Sequence, residues 1–250
     1  MPISAKPFPK WLASMFMPDH PQLNSSNSFK PTTPGHGQFV VELLLALVLS
    51  KLPVVSIPFK WLESYFHELS HALAALISGG QVSHIELFSN GAGLCYSAGG
   101  WPVLIGFSGY AGAATWGALL YLLACSRTAV KFSYLVFGIG VLLSMLLWGR
   151  DVLTIAIMVS LAVLFLLPLK FYKTLIMRGA LRLMALIVLL NALASPAVLL
   201  GISDRGDAAM LADITFLPAF IWVLLWFGCG VFALLCCWWR INAATKQLPN

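Results

Sequence analysis

Apolar runs, each close to the length that crosses a bilayer, recur along this chain at about 39–59, 60–78, 102–124, 132–148, 152–169, 183–202 and 214–239. A spanning helix needs about 20 apolar residues in succession, because lipid leaves no backbone N–H or C=O a partner outside a helix or closed barrel. The runs therefore predict an all-α polytopic membrane protein of about six or seven transmembrane helices. Composition agrees. Only 10% of the 250 residues are charged and 60% are hydrophobic, whereas a soluble domain carries about a quarter charged residues.

The flanks differ in kind. Residues 1–38 are rich in Pro, Ser, Asn and Lys, as in Asn24-Ser25-Ser26-Asn27-Ser28, and read as a flexible polar N-terminal tail. Lys10 to Phe16 is a short stretch that could anchor at the membrane interface. Residues 39–240 form the expected membrane-embedded domain, and 241–250 a short C-terminal tail. The formal net charge of +6 does not point to nucleic acid, because no basic stripe with interleaved aromatics exists. Instead Arg127/Lys131, Lys170/Lys173/Arg178/Arg182 and Arg240/Lys246 recur at every second boundary between runs. The bias of Lys and Arg towards the cytoplasm puts these ends together on that side. Lys6, Lys10 and Lys30 of the tail conflict with this orientation unless run 39–59 fails to cross fully. The five cysteines, with no CxxC pair, read as small hydrophobes.

One segment breaks the helical pattern. Val82 to Leu87 partly alternates, Asn90-Gly91 signals a turn, and Gly93 to Ser97 can return as a second strand. Such a β-hairpin cannot face lipid with its edge groups unpaired, so it must lie at the surface or line a watered, protein-walled cavity. Upstream of it, Gly79-Gly80 is a helix stop, and Lys51, Pro53 and Pro58 argue against one straight helix through the first run.

The second run carries His67-Glu68-Leu69-Ser70-His71. Histidines four apart lie one turn from each other on one helix face, so both imidazoles can reach one metal ion. Zinc lowers the pKa of a coordinated water towards ~7, and a glutamate beside the first histidine can take that water's proton as general base. With five His in the chain, chance placement yields this pattern in roughly two chains per thousand. Ionisable groups at a helix centre in a bilayer each cost roughly 2.5–3.5 kcal/mol on the mildest scale, so three together need a partner, and a divalent cation is the natural one.

The stretch Tyr65 to Gly80 around this motif resembles the M50B-like membrane peptidases, relatives of the site-2 proteases. The resemblance continues through Val82, Ile85, Gly99-Gly100 and Ser108 to Leu120, and more weakly through Asn191, Gly206 to Thr215, Pro218 and Trp222. It implies a zinc-dependent intramembrane endopeptidase, with Zn2+ held by His67 and His71 and with Glu68 catalytic. A catalytic zinc site also needs a third protein ligand. Site-2 proteases draw it from an Asn-Pro-Asp-Gly-like setting on a later helix, which this sequence lacks. The family-like setting favours Asp207, with Asp151 and Asp213 as alternatives; Glu86 and Asp204 complete the acids considered. Asp151, in the Trp148-Gly149-Arg150-Asp151 junction, has a second role open to it at a helix start. Gly109, Ala113 and Gly117 recur every four residues, a small-residue face expected to bring their helix against the one bearing the histidines. Asn191 suits an interhelical hydrogen bond or a substrate backbone, His84 a strand surface, and His20 and His36 have no partner at useful spacing.

The expected protein is thus a multi-pass integral membrane enzyme of a bacterial inner (plasma) membrane. Its partners would be the lipid bilayer and a membrane protein or peptide substrate, with no nucleic acid. A non-catalytic scaffold or chaperone that keeps a vestigial zinc motif is the alternative. A transporter would show inverted repeats and more polar mid-span residues, and neither is evident.

Overall fold

The computed structural model describes residues 33–126, 129–171, 173–199 and 206–245. The tail stretch Lys10 to Phe16, His20, Arg127, Lys246 and Asp204 lie outside the described residues. Eight helices and one hairpin follow in order: α1 (His36–Lys51), α2 (Ile57–Ile77), β1 (Gln81–Leu87), β2 (Gly93–Ala98), α3 (Pro102–Ala124), α4 (Ala129–Trp148), α5 (Val152–Phe171), α6 (Thr174–Val198), α7 (Asp207–Thr215) and α8 (Ala219–Thr245). By length and composition five of them, α3, α4, α5, α6 and α8, can cross a membrane. Leu146, Leu167 and Leu224 on their outer faces are exposed, as suits helices whose neighbours are lipid tails. The chain is an integral membrane protein built of helices with a small two-stranded sheet.

Local chemistry sets the breaks. α1 stops at Lys51, two residues before Pro53, and α2 restarts with Pro58 in its first turn, where its missing N–H is no loss. α2 ends in a Schellman closure: Gly79 sits at φ 86°, its N–H donates to the Leu76 carbonyl at 3.1 Å, and the Gly80 N–H donates to Ala75 at 2.7 Å. The hairpin runs antiparallel with Ile85 opposite Cys95 and a register shift between Val82 and His84. At its tip the Gly91 N–H donates to the Phe88 carbonyl at 3.0 Å, and Asn90 Oδ1 accepts from the Ala92 N–H at 3.0 Å. The outer edge of β1 is closed by the α4–α5 junction. Ile85 bridges to Gly149, and the Leu87 N–H donates to Thr154 Oγ1 at 2.8 Å. Among the described residues β2 has no strand on its other edge.

α3 is central, packing against α2, α6 and α8. An aromatic stack fixes α2 within the bundle. Phe66 lies 5.7 Å from Trp116 and 5.8 Å from Phe137, ring centre to ring centre, and Phe137 lies 5.6 Å from Phe165. Tyr65 OH and Ser144 Oγ share a hydrogen bond at 2.9 Å, and Trp116 Nε1 donates to Ser70 Oγ at 3.1 Å. Tyr65 and Ser70, both buried on α2, thus meet polar partners that lipid could not supply.

Two expectations change. α6 begins at Thr174, well before the predicted apolar run, because Arg182 is not at a boundary. The buried Arg182 donates from Nε and Nη2 to the half-buried carboxylate of Glu42 on α1 at 3.0 and 2.7 Å. α1 also starts beside the end of α8, where His36 meets Asn242 and Phe39 packs on Tyr121 and Trp238. The first described residues therefore enter the bundle at the end that carries the basic clusters. Neither α1 nor α2 is among the five helices long and apolar enough to cross a membrane, and Lys6, Lys10 and Lys30 lie outside the described residues.

Removing one member of a buried ion pair strands the other charge, at about 3–5 kcal/mol. Glu42→Gln or Arg182→Met should therefore each lower the detergent-solubilised unfolding temperature markedly. The double variant Glu42→Leu/Arg182→Met should lose much less than the sum, as a double-mutant cycle of thermal unfolding would record.

Candidate metal centre

Helical periodicity stacks Glu63, His67 and His71 on one face of α2, one turn apart. The two imidazole Nε2 atoms approach to 2.9 Å. Asp207, in the first turn of α7, brings Oδ2 to 3.0 Å from Nε2 of His67 and 3.3 Å from Nε2 of His71. An acid in a first helical turn is also favoured by the helix dipole. Two nitrogens and an oxygen bonded to one tetrahedral zinc at about 2.0–2.1 Å would sit about 3.3 Å apart. The observed triangle is close to one face of that tetrahedron.

The protonation pattern fits a cation as well. Nδ1 of His71 lies 2.6 Å from the Ile105 carbonyl, a contact that requires an N–H on Nδ1 and leaves the Nε2 lone pair facing the triangle. Space for the triangle comes from one residue. A Cβ added at Gly109 on α3 would lie 2.5 Å from Nε2 of both histidines. The same helix face admits α7 at Gly106, where a Cβ would meet Met210 Cε at 2.4 Å, and admits Ser70 of α2 at Gly112, where it would meet Oγ at 2.1 Å. The contact with α2 and α7 therefore repeats every three residues, through 106, 109 and 112. Gly117 faces Leu189 of α6 instead, so the expected every-four face is split between two partners.

Glu68 is buried beneath the hairpin, where a Cβ added at Gly93 would lie 2.7 Å from its Oε1. His67, Glu68, His71 and Asp207 share a cleft of about 380 Å³ whose other wall is β2, at Gly93, Cys95 and Ser97. Tyr110 closes it from α3, its ring edge-on to His67 with centroids 4.3 Å apart, and is itself held against Trp226 at 4.8 Å.

The other acids lie elsewhere. Asp151 caps α5, its Oδ1 accepting from the Thr154 N–H at 2.9 Å, and the hydrogen bonds of Thr154 hold its carboxyl below the usual carboxylate range. Asp213 is exposed on α7. Glu86 stays on the hairpin, 3.5 Å from His84, whose ring stacks on Tyr96 with centroids 4.2 Å apart. Asn191 does not form the interhelical bond that suited it. Among the described residues its Nδ2 is buried with no hydrogen-bond partner, and the side chain lines a cavity of about 680 Å³ beside the cleft.

Glu63 was not singled out by sequence reasoning. It is buried one turn before His67, within 3.5 Å of Ser195 Oγ on α6. The four-residue spacing to His67 was the available signal, but the HExxH pattern begins at the histidine and draws no attention upstream.

No curated protein and no solved structure matches this chain. A family model described as Peptidase M50B-like matches residues 40–240, the stretch that holds both histidines of α2, the hairpin, Gly109 and Asp207. With a membrane-embedded bundle around a group of three side chains able to hold a metal ion, and with that match over most of its length, the chain belongs to the Peptidase M50B-like family.

Proposed function

We propose that the protein is a zinc-dependent intramembrane endopeptidase that hydrolyses peptide bonds of membrane-associated protein or peptide substrates. The convergence of two imidazole nitrogens and one carboxylate oxygen to within 3.3 Å of one another, in the same cleft as Glu68, carries this reading. His67, His71 and Asp207 would hold the ion, leaving one tetrahedral position for chemistry. Zinc supplies Lewis acidity there, acidifying a water and polarising the scissile carbonyl.

The protein's own groups do the rest. Glu68 takes a proton from the attacking water as the water oxygen bonds to the carbonyl carbon. The same carboxyl returns that proton to the amide nitrogen as the C–N bond breaks, so one water is consumed and an acid and an amine leave. The Ile105 carbonyl fixes the His71 ring, and Tyr110 fixes that of His67. An extended substrate can add to the free edge of β2, which lines the cleft and offers unpaired N–H and C=O groups. Strand addition requires an unfolded stretch, so helical substrate segments must unwind before cleavage. The reading seats the bundle in a bacterial inner membrane, with the basic helix ends facing the cytoplasm.

Glu68→Gln should keep one zinc per chain, measured by elemental analysis of purified protein, while cleavage of a model membrane substrate falls at least ~100-fold. A scaffold would be indifferent to this change, so an unaltered cellular phenotype with Glu68→Gln would sink the enzyme reading. Asp207→Ala should abolish stoichiometric zinc, whereas Asp151→Ala and Asp213→Ala should retain it. Gly109→Ala raises helix propensity by about 1 kcal/mol yet sets a methyl group into the ligand triangle. Zinc retained at the wild-type level by Gly109→Ala would contradict the proposed coordination.

A further inference from the structure

The larger cavity beside the cleft is not used by the hydrolysis itself. It shares Glu63, Gly91, Ala92, Tyr110 and Ser195 with the chamber that reaches His67 and Glu68. A strand that follows the edge of β2 past Gly93 runs on towards Ala92 and Gly91, and these small residues leave the way into that cavity open. Gly91 in turn sits on Lys60, because a Cβ there would lie 2.9 Å from the Cβ of the lysine.

The polar groups of the cavity are unequal in sign. Two of its acceptors are engaged: Glu63 Oε2 accepts from Ser195 Oγ at 3.5 Å, and Asn90 Oδ1 takes the Ala92 N–H. Its donors are not. Among the described residues Lys51 and Lys60 form no ion pair, and Asn191 Nδ2 has no hydrogen-bond partner. Lys51 comes from the end of α1, Lys60 from the start of α2 and Asn191 from α6, so three separate elements present spare donors to one space. A cavity of about 680 Å³ has room for more than one side chain. Lys51 and Lys60 are exposed, and two cations at the mouth of one cavity raise the local concentration of an anion there.

The geometry points to a substrate subsite for a carboxylate: we infer that the enzyme prefers peptides bearing an acidic group on the side of the scissile bond that enters this cavity. The group could be an Asp or Glu side chain or the free C-terminal carboxylate of a short product-like chain. The inference rests on the endopeptidase reading and on strand addition to β2.

Two measurements separate the inference from that reading. Fluorescent peptides of one parent sequence carry Asp, Ala or Lys at successive positions flanking the cleaved bond. One set has an amidated C-terminus, and a matched Ala set ends in a free carboxylate. Their binding to zinc-loaded Glu68→Gln in phosphatidylcholine nanodiscs is followed by anisotropy, and their cleavage by wild type is followed by mass spectrometry. Acidic peptides should bind and be cleaved roughly fivefold to tenfold better than alanine peptides at one or two positions on a single side of the bond. The amidated Asp series and the free-carboxylate Ala series then tell which source of the carboxylate is used. In Lys51→Glu/Lys60→Glu that ratio should invert in favour of lysine, while Lys51→Arg/Lys60→Arg should preserve it. Equal binding of all three series, or a preference untouched by the charge reversal, overturns the inference. So does a gain that depends on adding anionic phospholipid rather than on the peptide's acid. Selective binding of acidic peptides with no cleavage by wild type would leave the subsite standing and defeat the peptidase reading instead.

Discussion

Hydrocarbon cannot solvate an ionisable group, and α2 places four of them within nine residues: Glu63, His67, Glu68 and His71. The rest of the architecture follows from keeping that helix away from lipid. α3, α5, α6 and the hairpin contact α2, and the five helices apolar enough to face the bilayer are all others. The aromatic stack of Phe66, Trp116, Phe137 and Phe165 carries the opposite side of α2 into the core. Each histidine then finds a polar neighbour, and no imidazole of α2 is left facing hydrocarbon.

Glycine makes this burial compatible with chemistry. A bundle packed to ordinary density has no room between two helices for three converging ligand atoms. At Gly109 the missing side chain is the room: the two Nε2 atoms occupy the place of a Cβ. At Gly106 and Gly112 the same face lets α7 and Ser70 come close. The hairpin solves a complementary problem. One of its edges is sealed by Gly149 and Thr154. Among the described residues the other carries no strand, and β2 lines the cleft, a place in such a bundle where unpaired backbone is tolerable because water can reach it.

Much of this was legible in the chain, and the parts that were not share a reason. The HExxH histidines, the hairpin turn at Asn90-Gly91 and the stop at Gly79 all depend on residues within one or two turns of each other. Periodicity and turn chemistry report on that scale. Asp207 stands 140 residues from His67 in the chain, so no spacing rule relates them, and only the fold brings α7 onto Gly106. Arg182 misled in the same way. Alone it reads as the edge of an apolar run, and with Glu42 on α1 it becomes an interior residue. The small-residue face of α3 was visible as composition, but its division between α2 and α6 depends on the crossing of three helices. Glu63 stands one turn before His67, within reach of periodicity, but the HExxH pattern begins at the histidine while the site begins at the glutamate.

The carboxylates on or reaching α2 differ in what surrounds them, and that difference separates their roles. Asp207 faces two imidazole nitrogens and can share a cation with them. Glu68 lies beneath Gly93, in the wall where a peptide strand would pass, so its proton traffic would serve the scissile bond. Glu63 lies between the cleft and the wider cavity with a hydroxyl, not an imidazole, within reach. A third acid at that junction would repel an entering anion unless cations faced it. Lys51 and Lys60 stand at the same cavity. Their charge outweighs that of Glu63, which makes the entrance positive on balance; at the buried end Glu68 and Asp207 would be balanced by a divalent cation. On the proposed reading, a substrate would arrive with its acid held at the lysines and its neutral amide carried onward to the triangle of His67, His71 and Asp207.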